Sequence, residues 1–231
     1  MILIDGIEVV KDTAQIATTA GEGEINMSLW EMFLSGGPIM WILLVLSIIA
    51  VYIFIDKIIA IKKATSNKNL FMNKIKTFIM EGNTNEALKE CRFSKGPLAK
   101  MIEKGIMRIG RPLNDINVAI ENVGKQEIAR LEKGLPVLAS IAGGAPMLGF
   151  LGTVMGMVTA FFDMANAGNN LDIQLLSNGI YLALVTTVGG LIVGIVAFFA
   201  YNILVSQINT LVAELESKTT EFMDILNEPI K

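Results

Sequence analysis

The sequence predicts an all-α integral membrane protein with three membrane-spanning helices, two of which extend into a cytoplasmic helical stalk. Three long stretches contain no Asp, Glu, Lys or Arg: residues 32–55, 134–162 and 173–213. A helix crosses about 30 Å of hydrocarbon with about 20 apolar residues, so each stretch is long enough. The 231 residues are also 52% apolar and 18% charged, whereas soluble domains carry about 25% charged residues.

The first span is predicted at residues 38–59, the second at 136–162 and the third at 178–202. The first stretch does not resemble a cleavable signal peptide, because an acidic segment precedes it and lysines follow it directly. A buried core helix of a soluble protein is the alternative, and three such long charge-free stretches disfavour it.

The distribution of Lys and Arg predicts the orientation of the three spans. Residues 57–135 hold 16 of the 19 basic residues and eight acidic ones, whereas residues 1–35 hold one lysine and six acids. We therefore expect the long loop and the C-terminus in the cytoplasm. The N-terminus and the short link between the second and third spans are expected in the periplasm of a bacterial inner membrane protein.

The cytoplasmic loop is predicted to be helical rather than disordered. Helix-spaced apolar residues occupy three segments separated at Gly82, at Gly96–Pro97 and at Gly110. Residues 114–133 continue this pattern and are expected to run directly into the second span. Residues 205–226 keep an apolar face and are expected to extend the third span.

These expectations divide the chain into seven regions. In chain order they are a periplasmic N-terminal segment, an amphipathic lead-in with the first span, a cytoplasmic helical domain, the second span, a periplasmic link, the third span and a cytoplasmic C-terminal helix. Their bounds are 1–27, 28–61, 62–134, 135–162, 163–177, 178–202 and 203–231.

The composition argues against several classes of function. There is no histidine and only one cysteine, which excludes His-ligated metals, Ser-His-Asp triads and CxxC metal sites. A net charge of −3 gives no reason to expect nucleic-acid binding. No polar constellation in the spans suits acid–base or nucleophilic work, so we expect neither an enzyme nor a cofactor.

Glycines and one proline mark the second and third spans. Small residues let membrane helices approach closely, and two glycines four residues apart form a typical packing face. The pattern can mean packing within one chain or oligomerisation, and the spacing does not distinguish them. The residues concerned are Pro146, Gly149, Gly152, Gly156, Gly190 and Gly194.

Three threonines lie in the middle of the same two spans. Thr153 lies ten residues from Asp163, and Thr187 lies ten residues from Ser177. In antiparallel helices the hydroxyls of Thr153, Thr186 and Thr187 would then form a polar belt at one depth, suited to lining an ion pathway. The alternative is that each hydroxyl bonds the carbonyl four residues earlier in its own helix.

No ionisable residue lies in the middle of any span. A proton relay within a membrane needs Asp, Glu or His. If this protein handles protons, a partner must supply the titrating group.

At these residues the chain resembles the MotA/TolQ/ExbB proton channel family, and its ExbB/TolQ branch in particular. The run APMLGFLGTVMG at residues 145–156 is similar to the family signature APLLGLLGTVxG. Residues 28–41 resemble the approach to the first span, and residues 180–191 with Tyr201-Asn202 resemble the third span. A MotA-like flagellar stator is less expected, because that branch has four spans.

The resemblance implies a homopentamer around two single-span helices of an ExbD/TolR-like partner. That partner's membrane aspartate would carry the ion past Thr153 and Thr187, and the complex would drive a TonB- or TolA-like protein. H⁺ is the expected ion and Na⁺ the alternative, because hydroxyl and carbonyl oxygens suit a hard cation.

The chain departs from the branch at two positions. It carries Leu182 where many members have a glutamate, and Val196 where a proline is frequent. Any role of that glutamate therefore cannot be transferred. A TolQ-like subunit of a Tol-Pal system and a passive membrane scaffold remain alternatives to the ExbB-like motor subunit.

Overall fold

The computed structural model describes residues 36–65, 68–94, 96–166 and 173–227, and their regular secondary structure is α-helical. The predicted N-terminal segment, most of the lead-in to the first span and part of the periplasmic link lie outside these residues. Within them the chain forms seven helices. They are α1 (Gly37–Thr65), α2 (Lys68–Met80), α3 (Thr84–Phe93), α4 (Pro97–Ile106), α5 (Leu113–Glu132), α6 (Leu135–Asn166) and α7 (Ile173–Asn227).

Three of these helices are long and apolar enough to cross a membrane, which confirms the predicted number of spans. Helices α1, α6 and α7 contain 29, 32 and 55 residues. At a rise of 1.5 Å per residue, α7 is about 83 Å long, so it must continue far beyond a hydrocarbon layer of about 30 Å. The expected extension of the third span is therefore present as one unbroken helix.

The expected continuity between α5 and the second span is wrong. The helix ends at Glu132, and Gly134 takes a left-handed conformation with φ of 99°. Pro136 follows in the first turn of α6 and has no amide hydrogen to donate to the Glu132 carbonyl, so a continuous helix would lose that bond. A two-residue break at Lys133 and Gly134 therefore separates α5 from α6.

The core is one continuous cluster that extends from the membrane spans into the stalk. Helices α6 and α7 pack along each other, and α1 lies mainly on α7, where Met40 and Leu43 approach Gly189. Farther along, the fully buried Phe222 near the end of α7 packs beside Gly105 of α4. The length of α7 thus joins the membrane part to the stalk.

The helices α2, α4 and α5 pack against α7, and α3 packs on α2 and α4. The predicted breaks at Gly82, Gly96 and Gly110 separate these helices in the structure. Cys91 is buried here, and desolvation, with the nearby charges of Glu103 and Glu90, raises the pKa of its thiol to about 12. This thiol is therefore protonated and unreactive at neutral pH.

Large apolar side chains on the three long helices point outward. Tyr52, Phe150 and Phe199 are 71%, 66% and 62% exposed. A soluble monomer rarely exposes such a continuous apolar surface, whereas lipid or neighbouring chains would cover it.

Candidate functional site between the second and third spans

Helices α6 and α7 meet along a seam of small residues. A Cβ atom placed on Gly190 would lie 2.6 Å from the carbonyl oxygen of Ala145 and 2.8 Å from the Cα atom of Gly149. A Cβ atom placed on Gly156 would lie 3.1 Å from the Cβ atom of Ala183. These separations leave no room for a side chain at Gly190 and very little at Gly156, so the two helices are in close contact.

Pro146 and Gly194 form one end of this seam. A Cβ atom placed on Gly194 would lie 2.5 Å from Cγ of the Pro146 ring. Because proline has no amide hydrogen, the carbonyl of Ala142 lacks its usual helical donor, and this carbonyl also faces Gly194.

The seam is longer than the set of residues named from the sequence. Gly179 of α7 packs against Ala160 of α6, and neither residue was singled out. A signal for them exists in the spacing, because small residues recur every three or four positions along both helices. On α6 they are Ala145, Gly149, Gly152, Gly156 and Ala160, and on α7 Gly179, Ala183, Thr186, Gly190 and Gly194.

Thr187 links the two helices by a hydrogen bond. Its hydroxyl donates to the carbonyl oxygen of Gly149 across the seam at 3.1 Å. The contact is possible because Gly149 has no side chain to hold the helices apart. This carbonyl also belongs to the α6 hydrogen-bond ladder, so Thr187 bonds an oxygen that already has a helical partner.

Thr186 has a different environment from its neighbour. It is 4% exposed, and its hydroxyl donates to the carbonyl oxygen of Ala183 in its own helix at 2.8 Å. Its side chain occupies the space that the missing Cβ atom of Gly152 leaves open. Adjacent residues on a helix point about 100° apart, so only one of the pair can fill this position.

Thr153 resembles Thr187 in its exposure, whereas Thr186 is buried. Thr153 is partly exposed and donates to the carbonyl oxygen of Phe150 in its own helix at 2.6 Å. Thr153 and Thr186 thus bond within their own helices, but to the carbonyl three residues earlier rather than four, whereas Thr187 bonds the other helix. A hydroxyl that donates to a carbonyl keeps its lone pairs available to another donor.

The three hydroxyls lie close in depth but not level. Thr186 is opposite Gly152, whereas Thr187 is opposite Gly149. Thr153 and Thr187 are therefore separated by about one helical turn along the bundle, or about 5 Å. The belt is slightly staggered relative to the expectation of a single depth.

The surroundings of this belt are apolar. Leu182 is partly exposed one residue before Ala183, and Val196 is 58% exposed beyond Gly194. Residues 134–162 and 173–213 contain no ionisable side chain other than that of Tyr181 and Tyr201. The site can therefore accept and donate hydrogen bonds but has no carboxylate to carry a proton.

Comparison with known proteins identifies the family of this chain. The sequence profile of the MotA/TolQ/ExbB proton channel family matches residues 93–217, which include α4 to α6, most of α7 and the whole seam. The chain belongs to the MotA/TolQ/ExbB family.

Curated members of the MotA/TolQ/ExbB family support the ExbB/TolQ branch. A biopolymer transport protein ExbB homologue of Methanothermobacter thermautotrophicus is 29% identical over 187 residues, which cover 80% of this chain and 66% of the relative. ExbB of Neisseria meningitidis serogroup A is 26% identical over 83% of this chain and 93% of its own length. The Tol-Pal system protein TolQ of Haemophilus influenzae is 34% identical over 54% of this chain and 50% of its own length.

Proposed function

We propose that this protein is the channel subunit of an ExbB–ExbD-type motor that uses the proton-motive force across the inner membrane to drive envelope transport. The observation that carries the proposal is the staggered belt of hydroxyls where α6 and α7 meet, within spans that have no carboxylate. Such a belt of hydroxyls can form hydrogen bonds with a carboxylate that carries a proton, although the hydroxyls themselves do not titrate.

Because the spans have no carboxylate, a partner protein must supply one. An aspartate on a single-span helix of an ExbD/TolR-like protein would pass Thr153 and Thr187, and each hydroxyl could donate to it when charged or accept from it when protonated. A homopentamer around such helices would cover part of the apolar surface of α6 and α7. The partner would in turn pull on a TonB-like protein, and neither a cofactor nor a bound metal is needed.

The distribution of charge supports the orientation that this function needs. Residues 68–132, which run from the start of α2 to the end of α5, carry 12 of the 19 basic residues, and the positive-inside rule puts this segment in the cytoplasm. The N-terminus would then be periplasmic and the end of α7 cytoplasmic. Transport toward the envelope requires the driven protein to be reached from the periplasmic side.

Replacing Thr153 by valine tests the channel role most cleanly. Because this hydroxyl bonds only its own helix and valine has almost the same shape, we expect the complex to assemble normally. Loss of one well-placed polar group in a transfer pathway reduces rates by about 10²-fold or more. We therefore expect energy-dependent uptake to fall to about 1% or less of wild type, measured together with the amount of assembled complex.

Two further variants provide the controls. Thr159→Val removes a hydroxyl that also bonds only its own helix, to the carbonyl of Met155 at 3.0 Å, and should leave transport intact. Thr153→Ser keeps the hydroxyl and should restore most of the activity. Full transport by both Thr153→Val and Thr187→Val would instead favour the passive scaffold, in which the threonines only pack.

The second prediction concerns composition of the complex. Purification of the full chain from its native membrane should recover a small single-span protein with one membrane aspartate, and native mass spectrometry should show five copies to two. A stable monomer with no such partner would contradict the motor.

A TolQ-like role in a Tol-Pal system is the second candidate, because the Haemophilus TolQ is 34% identical over the 126 residues it shares with this chain. Cross-linking in native cells separates the two roles. Recovery of a TonB-like protein supports the ExbB-type system, whereas recovery of a TolA-like protein supports the Tol type.

A further inference from the structure

A basic cleft lies in the stalk next to the first span. It has a volume of about 540 Å³ and is bordered by the end of α1, the start of α2, the N-terminus of α4 and the end of α5. Among the residues that the structure describes, its charged lining consists of four cations and one carboxylate: Lys63, Lys68, Lys100, Arg130 and Glu127.

The carboxylates at this cleft do not balance its cations. Glu127 accepts from Lys100 through both oxygens at 2.8 Å and from Arg130 at 3.4 Å. Lys68 pairs with Glu214 of α7. In the described part of the chain no carboxylate lies within ion-pair distance of Lys63, and the group as a whole keeps a charge of +2.

The cleft opens close to the level at which the membrane spans end. The first charge-free stretch stops before Asp56, and Lys57 donates to the carbonyl oxygen of Arg130 at 3.5 Å. Lys63 is two turns farther along α1, about 9 Å from Lys57. The headgroup layer on each side is about 5–7 Å thick. Ala60 of the cleft lining is three residues from Lys57, about 4.5 Å along α1, so this end of the cleft lies within the layer of lipid phosphates and Lys63 lies just beyond it.

Helix α4 adds to the positive potential of the cleft. It runs antiparallel to α5, because Lys100 pairs with Glu127 whereas Gly105 packs against Ile120. Its N-terminus therefore points along α5 toward the membrane. Gly96 at this end offers no side-chain cap and the first turn contains no acidic residue, so its amide groups favour an anion.

We propose that this basic cleft binds the phosphate group of an anionic phospholipid from the cytoplasmic leaflet. Clusters of Lys and Arg at the cytoplasmic surface attract anionic lipids, and basic pockets between helices hold their headgroups. Ala60, Phe71 and Leu131 provide an apolar wall for the glycerol and the first carbons of an acyl chain. The inference rests on the orientation proposed above.

The test uses the full chain with its partner in nanodiscs that contain phosphatidylglycerol and phosphatidylcholine. Native mass spectrometry measures which lipid remains bound to wild type and to the double variant Lys63→Gln/Arg130→Gln. Both replaced side chains are exposed, so the fold should persist. We expect wild type to retain phosphatidylglycerol, and the double variant to bind it about 30-fold more weakly.

The double variant Lys89→Gln/Lys125→Gln is the matched control. It removes the same charge from exposed positions that do not line the cleft, and it should retain phosphatidylglycerol like wild type. Equal retention in the two double variants, or equal retention of both lipids by wild type, would overturn the proposal.

A soluble phosphate compound is the other source of the same chemistry. Excess glycerol phosphate should not displace the bound phosphatidylglycerol. Displacement of this lipid by glycerol phosphate would overturn the lipid assignment. Because Thr153→Val should retain phosphatidylglycerol normally, loss of channel function and loss of lipid binding are separate outcomes.

Discussion

Gly190→Ala is expected to force α6 and α7 apart and to lower the free energy of unfolding by about 2–3 kcal/mol, as other overpacked interiors do. The added methyl group would lie 2.6 Å from the Ala145 carbonyl oxygen and 2.8 Å from the Gly149 Cα atom. Both obstacles are backbone atoms, so no side chain can rotate to relieve the contact. Separation of the helices would also break the hydrogen bond from Thr187 to Gly149.

The matched control for this change is Gly143→Ala in the same membrane segment. No atom lies within 4 Å of a Cβ atom placed on Gly143, so alanine should raise helix stability by about 0.5–1 kcal/mol. Unfolding in detergent with increasing denaturant measures both variants. Equal stability of Gly190→Ala and Gly143→Ala would contradict the close approach of the two spans.

Phe222→Ala should weaken the stalk by about 3–5 kcal/mol, the usual cost of removing a buried aromatic side chain. Phe222 is 0% exposed and packs beside Gly105 of α4. Its loss leaves a cavity where the end of α7 meets the short helices. We expect earlier chemical unfolding and faster proteolysis within α2 to α5, while the spans remain helical by circular dichroism.

Phe93→Ala is the matched control, because it removes the same aromatic side chain from the same part of the protein. Phe93 belongs to the same stalk but is 86% exposed, so its replacement should change stability by at most about 0.5 kcal/mol. If Phe222→Ala and Phe93→Ala show the same unfolding midpoint and the same rate of proteolysis, the contact between α7 and the stalk helices does not stabilise the stalk.

Much of the fold is predictable because lipid and water impose opposite demands on a side chain. The absence of charge from residues 32–55, 134–162 and 173–213 predicts the three spans, since an ionised group in hydrocarbon is costly. The breaks at Gly82, Gly96 and Gly110 are predictable for a different reason, which is that glycine disfavours the interior of a helix. The break at Gly134 is not evident from the sequence, because the apolar pattern continues across it.

The candidate site was predictable in its residue types but not in its geometry. The spacing of Gly149, Gly152 and Gly156 indicates a close helix contact, and Thr186–Thr187 indicates polar groups near it. Which threonine crosses the seam depends on the rotation of α7 relative to α6. That rotation arises from contacts between residues about 40 positions apart, such as Gly149 and Thr187. It therefore cannot be predicted from the sequence pattern within either helix.

The sequence by itself determined the three-span, all-helical character of this protein and the absence of a carboxylate from the middle of the spans, because both follow from which side chains are present and absent. Tertiary structure alone decided that Thr187 bonds Gly149 while Thr186 is buried against Gly152. It also brought Lys63, Lys100 and Arg130 together in one cleft. The physical reason is that such contacts depend on how separate helices are rotated and placed by their packing.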